Sequence, residues 1–205
     1  MSDDVHYYWH FARIDDDGHP VMRDGALIAV GKRYEIEGKP VLCKHGYHGS
    51  QRAIDALSYA PGTWVSRRPL EGVVVNGGDK SVGTAFVQQP GIDATSILRE
   101  FARWCALRVI DLWDAPPVVR RYLDTGDECI RDAARAATCD AAFADAAWTA
   151  ARAAARDAAC NAACAAAWAA TCDAAWADAR AAAKDSYNAR LERLLCDALG
   201  EEAER

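Results

Sequence analysis

The stretch TWVSRRPLEGVVVNGGDKSVGTAFV (63–87) decides the fold class of the first half of the chain. Its apolar and β-branched residues fall into three short runs, Thr63–Arg67, Gly72–Val75 and Val82–Val87, a composition typical of strands. Gly77-Gly78-Asp79 separates the last two runs, and such a sequence favours a tight connection between antiparallel strands. We therefore predict a sheet built largely from hairpins.

More short strands and one short helix are predicted before this stretch. Ser50 is a favourable N-cap for a helix over Gln51–Tyr59, which Pro61-Gly62 ends. The predicted strands, separated by an Asp-rich turn and by glycines, are Tyr7–Ile14, Ala26–Val30, Arg33–Ile36 and Val41–Cys43. Residues 1–92 are therefore predicted to form an α+β domain with a small, mostly antiparallel sheet and one short helix.

Residues 93–126 are predicted to be connecting helices that pack on this domain. Apolar residues recur at helical spacing from Ile97 to Leu112, and Thr95 or Ser96 caps the start. Asp114–Pro117 ends this helix, and a short helix over Val118–Leu123 follows.

Residues 127–205 are predicted to form an Ala-rich helical region, as a bundle or as long helices. Within Arg131–Lys184, 30 of 54 residues are Ala, and neither Gly nor Pro occurs there. The sequence AATCDAAFADA (136–146) returns as AATCDAAWADA (169–179), an offset of 33 residues or three 11-residue repeats.

Large side chains recur every four residues in the Ala-rich region. This step drifts by about 40° per repeat around a straight helix, so one unbroken helix would spread them over every side. We expect breaks near Thr138–Asp140, Asn161 or Thr171–Asp173, and each resulting piece would present one stripe. The predicted interaction residues on these stripes are Trp148, Arg152, Arg156, Trp168, Trp176 and Arg180.

Composition excludes several classes of protein. The chain has 205 residues and a net charge of -6, which speaks against general nucleic-acid binding because phosphate contact needs a basic surface. The N-terminus is acidic without an apolar segment, and charges interrupt the Ala-rich run, so we expect neither a secretory signal nor a membrane span. A cytoplasmic protein with its eight cysteines reduced, and with no cofactor, is the expectation.

The densest group of reactive side chains is CKHGYH (43–48). Cys43, His45 and His48 are candidate zinc ligands, with His6 or His10 as a fourth, although the spacing is not a standard zinc pattern. A Cys43–His48 nucleophile pair is a second interpretation. The third is structural: a strand end and turn packed by Cys43, with His48 hydrogen-bonded locally.

The basic pair Arg67-Arg68 is the other feature that suggests a ligand. Arginine pairs meet phosphate groups well, whereas a surface ion-pair role is the alternative.

The sequence also resembles an uncharacterised domain family of bacteriophages and bacteria. CKHGYHGS (43–50) and DALSYAPG (55–62) resemble its C-x-x-G-L-H-A-S and D-A-L-x-Y-A-P-G motifs, with Tyr47 for Leu and Gly49 for Ala. The similarity continues through LREFARWCAL (98–107), LWDAP (112–116) and YLDTGD (122–127). This resemblance implies a phage or mobile-element setting without a known activity. The Ala-rich tail is more loosely similar to immunity proteins of toxin systems.

Tyr47-His48-Gly49-Ser50 resembles the H-G-[ST] strand of ADP-ribosyltransferases, which implies that His48 and Ser50 hold a nicotinamide dinucleotide. Glu71 is the only glutamate nearby after it, and a matching downstream tyrosine is missing.

Two hypotheses about function follow. The first is a non-enzymatic protein-interaction or self-association module of phage or mobile-element origin, acting in phage–host conflict or as an immunity-type binder. The second is a nucleotide-binding or ADP-ribosyltransferase-like enzyme, with His48, Ser50 and Cys43 as its candidate catalytic residues.

Overall fold

The structure, a computed structural model, describes residues 6–112, 114–144 and 173–200. These residues form two compact units. The first contains residues 6–96 and 191–200, and the second contains the described residues between 97 and 190. The combination of antiparallel sheets with helices confirms the predicted α+β class.

The first unit holds eight described strands and one short helix. The strands are β1 (Tyr7–Ile14), β2 (Pro20–Val21), β3 (Arg33–Glu35), β4 (Tyr47–Gly49), β5 (Trp64–Pro69), β6 (Glu71–Asn76), β7 (Ser81–Val87) and β8 (Gly91–Asp93). The helix α1 spans Ala53–Leu57. One sheet has the order β2-β1-β5-β8, and in the other β3, β4 and β6 all pair with β7.

The core of this unit lies where β1 meets β7. Tyr8, Leu70 and Phe86 form a buried cluster, against which Tyr47 and Val74 pack. Alternation along a strand sends Trp9 and Phe11 to the opposite face of β1, where both are buried. Because both faces of β1 are buried, its sequence is rich in aromatic residues, and this composition predicted the strand.

The last helix of the chain also contributes to this unit. The helix α5 spans Asp173–Leu199, and its Leu191 and Leu195 are buried. The Glu192 carboxylate accepts a hydrogen bond from the Ala53 backbone N–H at 3.1 Å, at the start of α1.

The second unit is helical in its described part. It contains most of α2 (Thr95–Leu107), then α3 (Pro117–Thr125), α4 (Arg131–Ala144) and the first part of α5, with two 3₁₀ helices at Ile110–Leu112 and Glu128–Ile130. Tyr187 is buried and makes edge-to-face contacts with Phe101 and Trp104, with centroid distances of 6.5 and 5.5 Å.

Two predicted strands are wrong. Ala26–Val30 is a loop, because Gly25 turns the chain with a φ of +88° and only Leu27 forms a bridge, to Val21. Val41–Cys43 belongs to a tight turn in which the Val41 and His45 backbones bond to each other. The strand of this region is β4, which the sequence did not predict.

Three predictions about helices also need correction. Ser50 does not cap α1, since its backbone pairs with Trp9 and Arg52 occupies the N-cap position. The helix predicted to reach Leu112 ends at Leu107, and Ile110–Leu112 is a 3₁₀ helix. The break proposed near Thr138–Asp140 is wrong because α4 continues through it. The one proposed near Asn161 lies outside the described residues, as do Thr171 and Cys172 of the one proposed near Thr171–Asp173. The predicted division at 92 and 126 stays a prediction.

Candidate functional site

A strip of polar side chains lies in the core between the two sheets. Strand pairing places His10 opposite Ser66 and Tyr8 opposite Arg68, and residues two apart on a strand share a face. His10, Ser66 and Arg68 therefore line the same face as the core residue Tyr8. Gln88, directly after β7, is buried and completes the strip.

Arg68 is the central member of this strip and is only 1% exposed. Its Nη1 donates to Gln88 Oε1 at 3.0 Å and its Nη2 donates to the His48 carbonyl at 3.4 Å. Among the described residues no carboxylate pairs with it, and its Nε has no partner. Burial lowers the Arg68 pKa to about 9, which reflects how poorly a packed interior accommodates a cation.

His10 is the second unusual group of the strip. Its Nδ1 is shielded from solvent and forms no hydrogen bond with the described residues. Burial lowers the His10 pKa well below the ordinary value, and the positive charges of Arg68 and His48 lower it further. The imidazole is therefore neutral at neutral pH.

The turn that precedes β4 holds the Cys43–His48 cluster in a structural arrangement. Cys43 has a left-handed φ of +62°, and its backbone N–H donates to His48 Nε2 at 2.9 Å. Because Nε2 accepts, the neutral ring carries its proton on Nδ1. Burial lowers the His48 pKa, and the Lys80 charge adds to this shift, while a backbone hydrogen bond with Gly46 opposes it.

The three candidate zinc ligands do not converge. His45 Nε2 lies 2.9 Å from the Glu37 carbonyl oxygen. Within the described ranges, the group that meets the spacing of metal ligands is instead Asp15, Asp17 and His19. The Asp15 carboxylate there accepts the backbone N–H groups of Asp17 and His19, as in an ordinary turn.

The candidate catalytic residues Ser50 and His48 make separate contacts. Ser50 is 2% exposed, and its backbone exchanges two hydrogen bonds with Trp9, at 2.7 and 3.0 Å. In the part of the chain that the structure describes, no hydrogen bond joins the Ser50 and His48 side chains. Glu71 forms an ion pair with Arg33.

An exposed polar group lies beside this turn. The Lys80 Nζ is 3.8 Å from the centre of the Tyr59 ring, and the Tyr59 hydroxyl donates to the Asp79 carboxylate. The Cys43 side chain accepts a hydrogen bond from Lys80, which raises the Lys80 pKa. These contacts connect the β6–β7 turn to the segment after α1 through Tyr59 and to the turn before β4 through Cys43.

The predicted interaction residues cannot be placed by their side chains. Trp148, Arg152, Arg156 and Trp168 lie outside the described residues, as do the side chains of Trp176 and Arg180 on α5.

The structure instead reveals a strand edge with which no described strand pairs. His48 of β4 and Val75 of β6 both pair with Val82, so β4 and β6 flank β7 on opposite edges. Of the described strands, only β7 pairs with β6, which leaves the outer edge of β6 open. Val73 is 57% and Val75 is 40% exposed there.

Sequence reasoning predicted this strand but missed its exposure. Three consecutive valines are equally typical of a strand buried on both faces. No alternation of apolar and polar residues indicated that some of these side chains are exposed.

Comparison of the chain with protein-family models, with curated proteins and with solved structures found no match. Among the described residues, no helix is long and apolar enough to cross a membrane. Function is therefore inferred from the strand edge and the polar strip.

Proposed function

We propose that the chain is a non-enzymatic protein-interaction module that binds through the free edge of β6. The observation that carries this proposal is the run Val73-Val74-Val75 on an edge strand with two of its side chains exposed. An unpaired edge presents backbone N–H and C=O groups that another strand satisfies.

The state of this edge supports a binding role. Natural proteins protect edges with charges, prolines, bulges or a covering element. β6 has one bulge, between Glu71 and Val74, and the segment Gly72–Gly78 contains neither a charged residue nor a proline. Its exposed valines give an incoming strand apolar contact in addition to backbone hydrogen bonds.

The arrangement around His48 supports a module without catalysis. Its Nε2 already accepts the Cys43 N–H, and Ser50 is buried with its backbone paired to Trp9. The phage setting, and a role in phage–host conflict or as an immunity-type binder, rest on the resemblance described above.

Photo-crosslinking of the full chain in cells tests this function. A benzophenone amino acid replaces Val75 in one variant and Val30, which is 59% exposed outside β6, in the control. We expect crosslinked adducts from position 75 and none from position 30. Equal yields at both positions, or none at 75, would contradict the proposal.

A second candidate function is nucleotide or phosphate binding beside Tyr47–Ser50. The observation in its favour is Arg68, a buried cation that no carboxylate of the described residues pairs with and whose Nη2 donates to the His48 carbonyl. Arginine is well suited to phosphate. Phosphate, ATP or NAD at millimolar concentration would then raise the melting temperature of the wild type more than that of Arg68→Lys. Equal shifts would remove this candidate.

A further inference from the structure

We infer that the partner of the β6 edge is a second copy of this chain, whose β6 pairs antiparallel with the first about a two-fold axis at Val74. This inference rests on the proposed function and names the partner of the same edge. Homo-oligomers with two-fold symmetry are the commonest assemblies, and their interfaces must be self-complementary.

The backbone at Val74 faces the free edge. The Gly77 N–H donates to the Lys80 carbonyl at 2.9 Å, which makes residues 77 and 80 a hydrogen-bonded pair of the β6–β7 hairpin. Such pairs alternate along an antiparallel ladder, so Val75 also bonds to β7. The N–H and C=O groups of Val74 and Asn76 consequently point away from β7.

Val73 confirms this alternation from the other side. Its N–H donates to Thr84 Oγ1 at 3.1 Å, and therefore faces β7 like that of Val75. Val74 lies between these two residues, and two copies related by a two-fold axis there exchange both of its backbone hydrogen bonds.

The side chains are self-complementary in this register. With Val74 opposite its own counterpart, Val73 lies opposite Val75 of the second copy, and Val75 lies opposite Val73 of the second copy. The two exposed valines of each chain thereby cover those of the other on one face. β-branched residues in directly opposite positions are favourable cross-strand pairs.

Charge also permits this pairing. No charged residue occurs in Gly72–Gly78, so the register brings no like charges opposite one another. Glu71, just outside this segment, lies beyond the bulge that interrupts the regular part of β6 and is already paired with Arg33.

The size of the contact predicts a weak dimer. One pair of short strands buries less than the roughly 1,200 Å² of a standard stable interface. We therefore expect a dimer that dissociates on dilution through the micromolar range.

Sedimentation velocity of the full chain across a concentration series, with a charge exchange, tests this inference. The double variants V73K/V75K and V73E/V75E each place like charges opposite one another, and each should remain monomeric. A mixture of the two places opposite charges at both positions and should restore the dimer. V30K, a change at an equally exposed valine, should dimerise like the wild type.

Three results would overturn the second copy as partner: a wild-type monomer at all concentrations, a dimer that both double variants retain, or two monomeric variants that do not associate when mixed. The masses of the crosslinked adducts formed at position 75 distinguish a failure of this inference from a failure of the proposed function. A mass of twice the 22.2 kDa chain supports both. A heavier or lighter adduct containing one copy supports only the interaction module, and the absence of any adduct contradicts both.

Discussion

The guanidinium carbon of Arg68 lies 3.7 Å from the centre of the Phe86 ring, which places a buried cation against an aromatic face between the two sheets. This contact and the hydrogen bond to Gln88 join β5 to the end of β7. The polar strip thus links the first sheet to β7, the strand of the second sheet with which β6 pairs.

Replacing Arg68 with Lys should destabilise the protein by about 1–3 kcal/mol, because an ammonium cannot reproduce the two hydrogen bonds and the ring contact together. The matched change is Arg33→Lys, which alters exposed ion pairs with Glu35 and Glu71 and should cost much less, because solvent screens such pairs. Urea unfolding measures both, and equal costs would contradict the role given to Arg68.

His10 should make stability depend on pH. Its folded pKa lies below the unfolded value of about 6.5, so the unfolded state takes up more protons as pH falls below that value. The part of the stability that depends on His10 is fully present above about pH 6.5. Below this pH the free energy of unfolding should fall by up to about 1.4 kcal/mol per pH unit. Because the His48 pKa is lowered too, a His10→Gln variant should show a shallower decline with the same sign. NMR titration of the histidine rings, combined with urea unfolding at pH 7.5 and 5.0, measures both effects. An ordinary His10 pKa would contradict the burial described here.

Gly46→Ala should disrupt the turn before β4. A Cβ at position 46 would lie 2.6 Å from Val82 Cγ2 and 2.9 Å from the Gly83 carbonyl oxygen, and Gly46 has a φ of +116°. Gly38→Ala is the control, because its φ is +86° but nothing lies within 4 Å of the added carbon. We expect a loss of about 1 kcal/mol for the control, from strain alone, and of more than about 2 kcal/mol for Gly46→Ala. Thermal unfolding compares them, and similar losses would show that the turn can shift.

His48→Ala tests whether the β6 edge binds independently of the turn before β4. The change removes the acceptor of the Cys43 N–H, which should cost about 0.5–1.5 kcal/mol, yet association through β6 should persist. His45→Ala, in the same turn with an exposed ring, is the control. Crosslinking from position 75 measures association, and its loss in a folded His48→Ala protein would contradict a β6 edge that binds independently of His48.

Much of the sheet was predictable because its signals are local. The aromatic-rich run Tyr7–Ile14 between polar ends coincides with β1, and Gly77-Gly78-Asp79 connects β6 to β7 as predicted. The helix predicted from Ile97, with Thr95 or Ser96 as its cap, is present as α2, which begins at Thr95. In each case the signal lies in residues that are neighbours in the sequence.

The polar strip and the free edge depend on contacts distant in sequence. Arg67 and Arg68 point to opposite faces of β5, and only the pairing of Arg68 with Tyr8 shows that Arg68 faces the core. The turn at Val41–His45 was missed because Cys43, rather than a glycine, adopts the left-handed conformation. Whether Val73 and Val75 are buried depends on which strand, if any, lies beyond β6, and a single run of valines carries no such information.

Amide hydrogen exchange at Val74 is the most direct test of pairing through β6. The Val74 N–H points to the free edge, whereas the Val75 N–H bonds to β7. In dilute protein we expect rapid exchange at Val74 and protection at Val75. At concentrations where the dimer forms, Val74 should become protected while Val75 changes little. Protection of Val74 that is independent of concentration, or its absence even in concentrated protein, would contradict association through this edge.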